Sequence, residues 1–265
     1  MPRVKVNDIN IYYEVHGDGY PLIMIMGLSA NLDWWDPPLM EAMSSKFKTF
    51  IFDNRGAGRT DKPEIDYSVK MFADDTAGLM DALNIQRAHV LGISMGGMIA
   101  QEFVLKYPEK VEKLVLCATN CGYSKSVPPS SEVLELMARD FEGMEPEEVI
   151  KDMISLLFTE DFIKNNPNTI ELFRESALKA PIPASAYKRQ LDAILKYDTC
   201  RRIKKMNTPT LIMHGKKDIL VPPQNGEVLA KRIPRAKLSL FDNSGHALFS
   251  HETEKVIKTL LEFLT

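Results

Sequence analysis

The chain has 265 residues, 45% of them apolar, enough to fill the core of one large α/β domain or two small ones. Its 33 basic and 36 acidic residues are well mixed and leave a net charge of −3, which excludes the electrostatic footprint of a nucleic-acid or anionic-membrane binder and points to a small-molecule partner. The start, Met1 to Asp8, lacks a signal-peptide core, and the longest apolar stretch, around Leu22 to Met26, is far too short to span a bilayer, so a soluble cytoplasmic protein is expected. Cys117, Cys121 and Cys200 are odd in number and lack paired metal-site spacing, which argues against a disulfide framework and against a zinc site.

Val4, Val6, Ile9, Ile11, Tyr13 and Val15 alternate about the turn-prone Asn7-Asp8 and predict an antiparallel hairpin. Leu22 to Met26 is a continuous apolar run suited to a strand covered on both faces, and it ends at the turn Gly27-Leu28-Ser29-Ala30. Phe47 to Phe52 reads as another strand, leading into Asp53-Asn54-Arg55-Gly56-Ala57-Gly58-Arg59-Thr60. That loop lacks the G-x-x-x-x-G-K-[ST] spacing of a phosphate cradle. A helix is expected from about Ser68 to Leu83, then a short strand, a helix after residue 94, and a strand over Val111 to Cys117. This alternation predicts right-handed crossovers and a parallel sheet with helices on both faces.

From about 122 to 205 the rhythm stops. Four helices are expected near 131–142, 146–159, 168–180 and 184–197, with Pro146-Glu147-Glu148 and Asn168 as start signals. The division is thus 1–121 and 206–265 for the core, with 122–205 as a helical insertion. Strands return at Thr210 to Met213 and Lys237 to Phe241, each followed by a helix.

The stretch that organises the rest is Gly92-Ile93-Ser94-Met95-Gly96, which fits G-x-S-x-G between a strand and a helix. So tight a turn projects the Ser94 hydroxyl above the sheet edge, and glycine at 92 and 96 removes side chains that would strike neighbouring backbone. The Met95 amide opens the following helix, where unpaired N–H groups favour developing negative charge.

A serine hydroxyl needs a base, and the base an orienting carboxylate. Of five histidines, only His246 lies in a loop beyond a late strand, after Gly245, in the chain order Ser, Asp, His. His89 and His214 lie in or at the end of strands, His16 in a turn and His251 on an exposed helix face. Asp218 follows the seventh expected strand and is taken as the acid; Asp242, four residues before His246, is the runner-up and better suited to shaping its own turn. After the sixth strand the chain offers only Thr119-Asn120.

These residues resemble the α/β-hydrolase superfamily, in particular its cap-bearing esterase, lactonase and haloperoxidase-like branch. The resemblance covers Met26-Gly27, Asp53 to Gly58, Gly92 to Gly97, Asp218 and Gly245-His246. It implies an α/β-hydrolase fold with a mostly parallel sheet of about eight strands, an oxyanion hole formed by the Leu28 and Met95 amides, and a helical cap over Ser94. Met26-Gly27 replaces the His-Gly of many relatives, so the side-chain support of that loop must differ. Trp34 and Trp35 are read as pocket walls or core residues. Met137, Phe141, Met153, Leu157, Phe158 and Phe173 line an acyl site or pack cap helices on one another, the latter favoured for most.

The expected activity is that of a serine hydrolase acting on an ester, thioester or lactone through an acyl-enzyme, without metal or organic cofactor. The same triad also serves C–C hydrolases, perhydrolases and aminopeptidases. A small-ligand receptor on a degenerate hydrolase fold is the non-catalytic alternative. Serine at 94 disfavours dehalogenation by the ester-forming carboxylate route.

Overall fold

The computed structural model describes residues 2–265. The alternating N-terminal residues form a hairpin, β1 (Arg3–Val6) and β2 (Ile9–His16), turned at Asn7, whose φ of 51° lies in the left-handed region that asparagine tolerates. Next come β3 (Tyr20–Ile25), α1 (Pro37–Ser44), β4 (Phe47–Phe52), α2 (Val69–Ala82), β5 (Ala88–Ile93), α3 (Met95–Lys106) and β6 (Val111–Cys117). Side-chain caps fix the helix starts: Asp36 accepts from the Leu39 amide at α1, and Ser68 from the Met71 amide at α2.

Between β6 and the next strand lie α4 (Ser131–Met137), α5 (Pro146–Leu157), α6 (Glu160–Asn165), α7 (Pro167–Leu178) and α8 (Ala184–Leu195). The chain then completes β7 (Thr210–Gly215), α9 (Gln224–Arg232), β8 (Ala236–Phe241), α10 (Leu248–His251) and α11 (Thr253–Leu264). The insertion holds one helix more than the periodicity predicts. Pro167 occupies the first turn of α7, with Asn166 rather than Asn168 as its cap residue, and a proline there ends α6 just before it.

One eight-stranded sheet results, in the order β1-β2-β4-β3-β5-β6-β7-β8, with β1/β2 and β2/β4 antiparallel and every other pair parallel. Successive side chains on a strand face opposite ways, and this sorts the apolar runs into two cores. Leu22, Met24, Leu91, Val115 and Met213 pack with Leu39 of α1 and Leu260 of α11. Ile23, Ile25, Val90, Leu116 and Ile212 pack with Phe72 of α2, Ile99 of α3 and Leu229 of α9 on the other face. Because the shared strands run parallel, β3, β5, β7 and β8 all end at one edge of the sheet, and their loops converge there.

The cysteine expectation is corrected. Cys121 and Cys200, 79 residues apart, form a disulfide, while Cys117 is the buried free thiol of β6. The pair stands where the chain leaves the sheet for the insertion and where it returns. The Thr199 amide donates to the Cys121 carbonyl at 2.7 Å, and Gly122 and Asp198 form an antiparallel bridge beside it. The two sides of the neck meet only in the fold, so no sequence spacing announces the pairing. Such a bond is uncommon in cytosolic proteins, where thiols are kept reduced. Among the described residues no helix is long and apolar enough to cross a membrane.

Candidate active site

Ser94 joins β5 to α3 with φ 56° and ψ −121°, a strained conformation for a residue with a side chain. Its neighbours allow nothing larger than they are. A Cβ on Gly92 would lie 2.2 Å from the Gly96 carbonyl oxygen, and one on Gly96 would lie 2.1 Å from that of Ile25. The turn is pinned from β6 as well: the Ser94 amide donates to the Cys117 carbonyl at 2.9 Å, and the Thr119 hydroxyl to the Ser94 carbonyl at 2.7 Å. Thr119, where the chain offers no carboxylate, serves to hold the elbow.

At the end of β7, Asp218 is buried and its Oδ1 accepts the amides of Leu220 and Val221 at 3.0 and 2.8 Å. Its Oδ2 accepts from His246 Nδ1 at 2.8 Å. Because a carboxylate only accepts, Nδ1 carries the proton, and Nε2 is left as the basic nitrogen. Burial pushes the Asp218 carboxyl up, but the His246 charge and hydrogen bonds from His214 and His246 outweigh it and hold the group down at about 2. Asp218 is therefore an anion throughout the physiological range.

His214 was not expected near the acid's function, yet its Nε2 lies 2.8 Å from the Val221 carbonyl and 3.3 Å from Asp218 Oδ2. Its proton must be on Nε2, since both partners only accept, and it approaches Oδ2, the oxygen that also meets His246. The spacing His214 to Asp218 in sequence is the only signal of this pairing. Asp242 pairs with Lys216 at 2.6 Å on the surface. His89 is buried between the rings of Tyr20 and Phe47, and His16 pairs with Glu14.

His251 departs from its expected place on an exposed helix face. It is half-buried, with Nδ1 2.9 Å from the Ala247 carbonyl and Nε2 accepting the Thr159 amide at 3.2 Å, and its ring lies against Phe158 and Phe162. The Ala247 amide in turn donates to the Leu157 carbonyl at 2.9 Å, so the His246 loop and the end of α5 are fastened together. Burial lowers the His251 pKa and favours the neutral ring that this arrangement requires.

Leu28 follows Gly27 in the loop after β3, and Met95 opens α3, where the first amides have no partner within the helix. The loop's support is visible where Met26 replaces histidine. Asn54 Nδ2 donates to the Met26 carbonyl at 2.9 Å, Asp53 Oδ1 accepts the Leu32 amide at 2.7 Å, and Gln190 of α8 accepts the Ser29 amide at 2.9 Å while donating to the Arg55 carbonyl at 2.8 Å. The glycine-punctuated loop Asp53 to Thr60 is thus scaffolding. Its Arg55 is buried between Asp75 and Asp8.

Ser94, His246 and Leu28 border one cavity of about 380 Å³ between sheet edge and insertion. The two tryptophans separate: Trp34 lines the cavity, whereas Trp35 is buried in the core against Phe249 and is not a pocket wall. Trp34 is the last residue of a short 3-10 helix and Trp35 follows it in extended backbone, so the two side chains leave the chain in different directions. Met137, Met153, Leu157, Phe158 and Phe173 line the cavity, and Phe141 packs instead on Tyr187. Among the described lining residues there is no lysine or arginine, and the one carboxylate is Asp36, which burial raises above its ordinary pKa and which Ser250 meets at 3.0 Å.

Fold and site together define an α/β hydrolase, with chemistry-bearing loops at the carboxyl edge of a mostly parallel sheet. A family model described as alpha/beta hydrolase fold matches residues 20–253, and the chain belongs to that family. It is 28% identical over 262 residues to a putative carbamate hydrolase, RutD, of Azorhizobium caulinodans, covering 98% of this chain and 97% of that protein. It is 33% identical over 245 residues to a poly(3-hydroxyalkanoate) depolymerase of Ectopseudomonas oleovorans, covering 92% and 84%. Among solved structures, a thermophilic esterase from Thermogutta terrifontis superposes with a TM-score of 0.85 at 26% identity, covering 100% of this chain and 98% of the other. The chain is a hydrolase.

Proposed function

We propose that this hydrolase cleaves an uncharged, largely apolar carboxylic ester through an acyl-enzyme, with residues 122–205 acting as a cap over Ser94. His246 Nε2 takes the hydroxyl proton as Ser94 Oγ attacks the ester carbonyl. The Leu28 and Met95 amides receive the oxyanion, and Asp218 holds the imidazolium that forms. Collapse breaks the bond to the alkoxy oxygen, which leaves as alcohol with the proton from His246. Water, deprotonated by the same nitrogen, then attacks the acyl carbonyl and releases the acid and Ser94.

The observation that carries this reading is the joint border of Ser94 and an Asp218-held His246 on an apolar cavity without a lysine or arginine. Such a lining favours neutral esters over thioesters of strongly anionic carriers and over substrates with a free carboxylate. The esterase and depolymerase likenesses support it. The likeness to RutD favours a second reading, in which the acyl group is a carbamoyl.

Ser94→Ala is expected to lower kcat for p-nitrophenyl butyrate by roughly 10⁴-fold or more while the melting temperature holds. Retention of activity in that variant would overturn the proposal. Faster turnover of an aryl carbamate than of the matched ester by the parent enzyme would favour the second reading.

A further inference from the structure

Nine large hydrophobic residues are more than a third exposed among those described, and four of them, Tyr123 at 72%, Leu195 at 61%, Leu134 at 43% and Val127 at 38%, line the one cavity that Ser94 and His246 also border. Single exposed apolar side chains are ordinary, but a group gathered around a pocket mouth marks a contact surface. The group comes from three segments of the chain. Tyr123 and Val127 belong to the segment that enters the insertion, Leu134 to α4 and Leu195 to the last turn of α8.

The collar is held in place before any ligand arrives. Asn225 of α9 accepts the Val127 amide and donates to the Val127 carbonyl, both at 2.9 Å. The Tyr123 amide donates to the Tyr197 carbonyl at 3.3 Å, next to the Gly122–Asp198 bridge and the disulfide. An exposed surface anchored this firmly loses little freedom on binding. No cation lies in the lining to attract an anionic group. The cavity itself, about 380 Å³, is at the small end of pockets that hold drug-sized ligands.

We infer that the Tyr123, Val127, Leu134 and Leu195 collar is a distal subsite for the part of an uncharged, chain-like ester too long to fit within the cavity. The inference rests on the ester reading above and deepens it: the preferred substrate is extended, and the collar selects for length. The chain is either a straight alkyl acyl group, apolar along its length, or a run of linked hydroxy-acid units, whose ester groups accept hydrogen bonds but carry no charge and no donor.

The test uses ratios of kcat/KM in the full-length enzyme. The first arm compares p-nitrophenyl decanoate with the butyrate, and the second compares a 3-hydroxybutyrate trimer methyl ester with the monomer ester. Covering one methylene is worth at most roughly fourfold, and half-covering it on a collar about twofold. Leu195→Ser is expected to lower the long-to-short ratio about fivefold, and Tyr123→Ser combined with it about tenfold or more, in at least one arm. The arm with the larger fall identifies the chain. Ile65→Ser, an exposed apolar residue away from the cavity, serves as the control. Unaltered ratios in both arms, or an equal fall in the control, would overturn the inference.

Binding separates this inference from the catalytic one. In a Ser94→Ala background, the ratio of Kd values for methyl butyrate and methyl decanoate, read from the change in tryptophan fluorescence, is expected to fall by a similar factor on Leu195→Ser. Length-selective binding without any turnover by the parent enzyme would refute the ester hydrolase and leave the collar standing. Turnover with binding indifferent to Leu195 would do the reverse.

Discussion

In the sheet, β5 and β7 bury every residue from end to end, whereas the insertion gathers only Ile150, Ile154, Phe158 and Ala177 into a small cluster of its own. The sheet is held by two continuous cores; the insertion adds Ala193, Tyr197, Cys200 and Ile203 to one of them and is otherwise tied down at separate points. Gln190 ties α8 to the loop after β3, Arg202 clasps Glu102 with two hydrogen bonds, the Leu157 carbonyl accepts the Ala247 amide, and the Cys121–Cys200 bond closes the neck. The difference tracks the work each region does. The groups proposed to do the chemistry, Ser94, Asp218 and His246, stand in loops at the end of sheet strands, while the pocket they border is lined from both regions.

The sharpest way to break this contrast is at the acid. Asp218→Asn is expected to lower kcat by roughly 10³- to 10⁴-fold, because an amide no longer fixes the His246 tautomer or balances its charge. Steady-state kinetics on a short ester measure it. Activity within tenfold of the parent would mean that the sheet edge does not carry the chemistry.

A smaller effect should separate the two regions energetically. Replacing Cys121 and Cys200 together by alanine frees a loop of 79 residues in the unfolded chain and should cost about 4 to 5 kcal/mol. Urea unfolding gives the total, and hydrogen exchange its distribution. Loss of protection is expected in α4 to α8 first. An even loss over β5 and β7 would show that sheet and insertion unfold as one.

The smallest effect belongs to the sheet. Burial holds His89 at about 4, below its ordinary 6.5, so between these values the unfolded chain takes up a proton that the folded one refuses. Stability therefore rises with pH through this window, by about 2 kcal/mol between pH 5 and neutrality. His89→Phe should remove that part of the slope, since Nδ1 has no partner to lose. Melting temperatures at pH 5 and pH 8 test it; an unchanged slope would assign the acid sensitivity elsewhere.

What could be read in the sequence was what short segments determine. Gly92 is legible because its clash is with Gly96, four residues on; Gly96, which meets the Ile25 carbonyl across the sheet, is legible only through the motif, and β3 because a strand covered on both faces must be apolar throughout. That Asp218 and His246 should meet followed from chain order and from loops after late strands, and the two do pair at 2.8 Å. What stayed hidden depends on contacts across long separations. Nothing near Cys121 indicates Cys200, nothing near Ser29 indicates Gln190, and His251 looked exposed until Phe158 and Phe162 of the insertion closed on it. Trp34 and Trp35 are indistinguishable by composition, and only the path of the backbone decides which one meets a ligand.

The bond at the neck makes residues 121 to 200 a covalent ring. A protease that cuts once within that ring opens it without releasing a fragment, so a nicked molecule should run as one species on a non-reducing gel and as two after thiol treatment. The helices around the pocket can therefore be severed and still be carried by the enzyme, and the redox history of a preparation decides whether such damage is seen at all.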